Sequence, residues 1–130
     1  LMLTLRIESY GKPKLPLARN PKLIALSPAL VLIDDSVHAG EVVHTPELAA
    51  ACNLSVTHFR RIFNEVMGVA PKEYITECFL KKAEKMLIDA NDRILDIATS
   101  CGFMEVSGFN RAFSSKHQMS PQEFRKKYRK

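Results

Sequence analysis

With 130 residues, 46% of them hydrophobic and 25% charged, the chain has apolar material for one compact unit, or for two very small ones sharing an element, and too little for a large pocket. No run approaches the roughly 18 consecutive apolar residues of a membrane-spanning helix, and nothing marks a secretory signal, so a cytoplasmic protein without a membrane partner is expected. The net charge of +5 is uneven: residues 111 to 130 hold Arg111, Lys116, Arg125, Lys126, Lys127, Arg129 and Lys130 against Glu123 alone, about +6, while the rest sums to about −1. A basic tail by itself reads as a solvated end.

In chain order, residues 1 to 20 open with Leu3, Leu5 and Ile7 alternating with polar residues as in a strand, before "GKPKLPLARNP" reads as a linker. This segment is expected to be an arm or the remnant of a preceding domain. In "SPALVLIDDSV", Ser27 is placed to cap a helix, Pro28 to stand in its first turn, and Leu30, Ile33 and Val37 to form its apolar face. A short helix over Pro46 to Cys52 follows, with Thr45 as its cap and Asn53 closing it. Ser55 can cap the next, in which Phe59, Ile62, Phe63 and Val66 fall at i, i+3, i+4 and i+7.

Pro71 to Asn91 lacks internal Gly or Pro, and Tyr74, Ile75, Cys78, Phe79, Ala83, Met86 and Leu87 make a helical stripe. About 18 helical residues give a rod of roughly 27 Å, close to the ~34 Å between successive major grooves of a duplex. Asp92 can cap a helix from Arg93 to about Cys101, Gly102 supplies a turn, and Phe109, Ala112 and Phe113 form a second buried stripe.

The chain repeats itself. "ELAAACNL" (47 to 54) aligns with "DIATSCGF" (96 to 103) at an offset of 49, and Phe59, Arg61, Phe63, Pro71, Glu73 and Tyr74 match Phe109, Arg111, Phe113, Pro121, Glu123 and Phe124 at an offset of 50. The chain is therefore expected to be all-α: two helix-turn-helix subdomains joined by a long linker helix, about seven helices in all. Residues 21–70 form the first unit, 71–91 the linker helix, and 92–130 the second unit with its basic tail.

Cys52, Cys78 and Cys101 are odd in number and lack metal-ligand spacing, so they read as small buried residues. No Gly-rich phosphate loop or nucleophile elbow is present, and neither an enzyme nor a metal or cofactor is expected. Met67, Met86, Met104 and Met119 read as core or rim packing.

The pieces "ELAAACNLSVTHFRRIF", "GVAPKEYI", "KKAEKMLIDANDRILDIATSCGF", "SGFNRAF" and "SPQEFRKKY" resemble, in that order, the DNA-binding domain of the AraC/XylS family of bacterial transcription regulators. The resemblance implies recognition helices at about Val56 to Met67 and Val106 to Lys116, binding adjacent major-groove segments of double-stranded DNA. Thr57, His58, Arg60, Arg61 and Asn64 would face DNA in the first unit, and Val106, Ser107, Gly108, Asn110 and Arg111 in the second. Arginine can pair with guanine O6 and N7, and asparagine with adenine N6 and N7. Thr45, Ser55, Lys126 and Lys127 are candidate phosphate contacts. RNA polymerase and an effector-sensing domain are the protein partners that the resemblance brings with it.

Four positions depart from the family pattern. Gly108 replaces a larger side chain, so the second recognition helix either starts late or needs close approach to DNA. Gln118 replaces a usual glycine and His117 an apolar residue, which predicts an irregular last turn there. Phe79 replaces a basic residue. Gly108, Gln118 and His117 support a competing reading, an interaction module whose second unit docks a protein instead of reading DNA.

Overall fold

The computed structural model describes residues 20–129, so the arm expected over residues 1 to 20 lies, apart from Asn20, outside it. Among the described residues there are seven helices and no strand: α1 Pro21–Ala39, α2 Thr45–Ala51, α3 Val56–Met67, α4 Pro71–Asp89, α5 Ile94–Ser100, α6 Val106–His117 and α7 Pro121–Tyr128.

The first helix starts earlier than Ser27 and Pro28 suggest. Asn20 is its cap, accepting a bond from the Lys22 N–H at 3.0 Å, and Pro21 takes the first position. Leu23 and Leu26 are buried together with Leu30, Ile33 and Val37, so the apolar stripe runs back through Pro28. The bond that Pro28 cannot donate falls at exposed Ile24, one turn earlier. Ser27 is not a cap; its hydroxyl donates to the Leu23 carbonyl at 3.4 Å.

Two more caps differ from expectation. α2 is capped at His44, whose N–H donates to Glu47 at 3.1 Å, and Thr45 is the first helical residue. The box needs its acid three residues after the cap, and only His44 meets that spacing with Glu47. At α5 the cap position is Arg93, paired with Asp96 at 3.2 Å, and Asp92 lies outside the helix. Ser55 caps α3 as expected, accepting from the His58 N–H at 3.1 Å.

The repeat is visible bond by bond. Each short helix ends in the same turn, with the Leu54 N–H on the Ala49 carbonyl at 3.0 Å and the Phe103 N–H on the Ala98 carbonyl at 3.0 Å. Asn53 and Gly102 supply the left-handed residue, at φ 57° and 79°. Gly102 has a second constraint, since a Cβ there would stand 3.2 Å from both Phe79 and Val42. The residue that shifts the offset is Met104, which is 100% exposed and so packs neither core nor rim. Gln118 takes over the role of Gly68: it adopts φ 56°, and its N–H bonds the Ser114 carbonyl at 2.8 Å, as that of Gly68 bonds Asn64 at 2.9 Å. The last turn of α6 is thus regular, contrary to the sequence expectation.

Aromatic rings anchor both long helices of the repeat. Phe59, Phe63 and Tyr74 stack in the first unit, at 5.6 and 5.5 Å, and Phe109, Phe113 and Phe124 repeat them in the second at 5.7 and 5.2 Å. Between the units α4, 19 residues and about 28 Å long, packs against α1, α3, α5 and α7. His117 continues the second stack against Phe113 at 4.4 Å and meets Glu84 of α4 at 2.9 Å, and Glu84 also pairs with Lys116 at 3.1 Å. The tail is more than a solvated end: Arg125 donates to the Leu87 and Ala90 carbonyls at 3.0 and 3.2 Å, and Arg129 to Ala90 at 2.9 Å, closing the C-terminus of α4.

Candidate nucleic-acid interface

On α3 the buried residues Phe59, Ile62, Phe63, Val66 and Met67 leave Thr57, His58, Arg60, Arg61 and Asn64 exposed. Thr57, Arg60, Arg61 and Asn64 stand at i, i+3, i+4 and i+7, one strip along the solvent side. An offset of 50 carries that strip onto α6 as Ser107, Asn110, Arg111 and Ser114, the first three exposed and Ser114 half-buried. Ser114 lies outside the residues that the family resemblance implies, although the repeat offset points to it. Val106 is half-buried and packs on the core, so it offers less surface than its neighbours.

The strips differ in charge. Arg60 and Arg61 give α3 two guanidinium groups; α6 has Arg111, and the exposed carboxylate of Glu105 stands at its cap position. Glu105 makes no side-chain capping bond and accepts from the Ser107 hydroxyl at 3.4 Å. Among the described residues none of the three arginines forms an ion pair, and Glu65, the acid nearest Arg61 in sequence on α3, is taken by Lys22 at 2.7 Å. The Lys22 ammonium holds that carboxyl below the usual range. The guanidinium forks are thereby left open to an outside acceptor.

Gly108 is the third residue of α6, so a late helix start does not explain it. A Cβ there would meet nothing closer than Phe103 at 3.8 Å, ordinary contact, and internal packing does not require glycine.

The candidate phosphate contacts are scattered. Ser55 is exposed with its oxygen engaged as a cap, while Thr45 lines a cleft of about 340 Å³ between the units together with Lys72, Phe79 and Gly102. Lys126 and Lys127 are exposed on α7, Lys127 lying 5.4 Å from the centre of the Tyr128 ring. No group of His, Cys, Asp and Glu among the described residues could hold a metal ion, and no helix there is long and apolar enough to cross a membrane.

A family model described as a helix-turn-helix domain matches residues 48–127. An HTH-type transcriptional regulator of Mycobacterium tuberculosis is 31% identical over 90 residues, covering 69% of this chain and 35% of the relative. The melibiose operon regulatory protein of Escherichia coli is 35% identical over 80 residues, 62% of this chain and 26% of the relative. The chain thus spans about a third or less of these curated relatives. Among solved structures, an AraC-type transcriptional regulator from Chromobacterium violaceum superposes with a TM-score of 0.73 at 24% identity, covering 81% of this chain and 92% of the other. The DNA-binding domain of AdpA, solved in complex with a target DNA, superposes at 0.71 and 24% identity over 78% of this chain and 92% of its own.

Proposed function

Because the chain belongs to the AraC-type helix-turn-helix family, we propose that it is the DNA-binding part of a bacterial transcription regulator, with α3 and α6 entering adjacent major-groove segments of one duplex. The observation that carries this reading is the strip of outward-facing hydrogen-bonding side chains that occurs once in each unit, each on a helix whose opposite side is locked by rings. Arg60, Arg61, Asn110 and Arg111 read base edges; Thr57, His58, Asn64 and Ser107 support them from the same faces; Lys126 and Lys127 add phosphate contact. Residues 21–70 and 92–130 act as the two units. RNA polymerase and an effector-sensing domain outside this chain are the protein partners of this reading.

Selection of bound sites from a random duplex library tests it. Two enriched blocks about one helical turn apart are expected. A single block would reduce the second unit to a clamp or a protein-docking surface, and no enrichment would sink sequence-specific binding.

Gly108 sharpens the reading. Glycine inside a helix costs about 1 kcal/mol relative to alanine, and nothing inside the protein asks for it, so its role is to let the α6 backbone approach a duplex. Gly108→Ala should raise stability in urea unfolding by about 1 kcal/mol and weaken specific binding. A variant that binds as tightly as wild type would remove Gly108 from the interface.

The cysteines agree with a protein that carries no chemistry of its own. Burial pushes the Cys78 thiol up to about 12 and Cys101 to about 11, and also raises partly buried Cys52. All three should react slowly with thiol reagents near pH 8, since the thiolate is the nucleophile. A raised thiol keeps its proton in the folded state, while the unfolded thiol loses it near 9.0. Stability should therefore fall with pH above about 9, the unfolded state then binding fewer protons. Rapid stoichiometric modification of one cysteine would reopen a redox or catalytic reading.

A further inference from the structure

Lys82 stands near the middle of α4 and serves neither recognition strip. Its ammonium donates to the Val37 carbonyl, in the last turn of α1, at 2.8 Å and to the Ser100 carbonyl, at the end of α5, at 3.0 Å. These two carbonyls lie 63 residues apart and belong to different units. Both are helix C-termini, where the backbone dipole favours a cation.

The surrounding backbone is fitted to this contact. Gly40, which ends α1 at φ 74°, lies so close to the second unit that a Cβ would fall 2.9 Å from the Ser100 oxygen and 3.7 Å from the Lys82 nitrogen. Gly102 of the second unit presses back, where a Cβ would stand a tight 3.2 Å from Val42 of the first. Two turns thus meet across α4 with a glycine on each side and one ammonium between two carbonyls. α1 packs directly on α3, and α5 directly on α6.

We propose that Lys82, clamped between the ends of α1 and α5, is a positioning residue that fixes the offset between the two recognition helices and so sets the half-site spacing the protein accepts on DNA. The proposal rests on the two-unit reading above and deepens it: base contacts choose the sequence of each half-site, and this joint chooses the distance between them. Without the clamp each unit still folds and reads its own half-site, but one unit can shift against the other along α4.

The test uses the selected duplex rebuilt with its two blocks moved apart or together one base pair at a time, and a duplex carrying one block alone. Lys82→Met keeps the length of the side chain and removes its donors. It should leave affinity for the single block unchanged, lower affinity at the wild-type spacing about tenfold, and flatten the profile across neighbouring spacings. Lys82→Arg, which can still donate to both carbonyls, should restore much of the preference. Gly40→Ala, which drives a Cβ against Ser100, should shift or flatten the profile independently. An unchanged profile in Lys82→Met, or an equal loss on the single block, overturns the positioning role while the two-unit reading stands. A wild-type protein indifferent to spacing overturns both.

Discussion

Phe113→Ala is expected to destabilise the fold by about 3–5 kcal/mol, the usual result of truncating a fully buried aromatic. Phe113 has no exposure and touches the rings of Phe109, His117 and Phe124 at 5.7, 4.4 and 5.2 Å. It joins α6 to α7, and its neighbour His117 reaches α4 through Glu84 at 2.9 Å. A domain of this size has only about 5–15 kcal/mol in total, so the second unit should lose its structure before the first. Urea unfolding followed by helical circular dichroism would show an early partial transition. A loss below about 1 kcal/mol would mean that the cavity closes by local collapse and that the ring stack is not what holds α6.

The second large effect is on recognition. Arg61→Ala and Asn110→Ala should each remove about 1–3 kcal/mol of discrimination, roughly a 5- to 150-fold loss on the selected duplex, with little change on random DNA. The Arg61 guanidinium forms no ion pair among the described residues, and Glu65, whose charge it also feels, is bound to Lys22 at 2.7 Å. Asn110 is exposed on a helix strip otherwise poor in charge, so its loss should act through hydrogen bonding and leave the salt dependence almost unchanged. Lys126→Ala and Lys127→Ala should do the opposite, lowering the salt slope about equally on all sequences. Titrations of specific and random duplexes at two salt concentrations separate the two patterns, and equal losses on both duplexes would remove Arg61 and Asn110 from the reading set.

The unequal strips also bear on the competing idea that the second unit docks a protein. Its departures from the family pattern turn out to be accommodated: Gln118 closes α6 as Gly68 closes α3, and His117 stacks on rings where an apolar residue would. Buried Phe79 packs closely on the Gly102 turn. A second unit with intact anchor, regular helix and open polar strip remains equipped to read DNA.

Much of this was legible from residue order because it depends on neighbours one or two turns apart. The alternation of buried rings with polar residues in Phe59 to Val66 and in Phe109 to Phe113 dictates an amphipathic helix whatever lies next to it. The matching residue pattern of two segments 49 to 50 residues apart then points to the same unit twice. The candidate reading residues follow, since the side opposite a buried stripe must face outward. What the sequence left open depends on residues that meet only after folding. α1 extends back through Pro28 because Leu23 and Leu26 find a core to enter. Arg125 and Arg129 close α4 from 35 to 39 residues away, a distance at which no periodic pattern survives. Lys82 looks like any solvated lysine on a charged helix until two helix ends, 45 and 18 residues away in opposite directions, place their carbonyls on either side of it. Local stripes and repeats determine which helices form and which sides they show; the hydrogen bonds that seat one unit against the other exist only between segments brought together by the packed core.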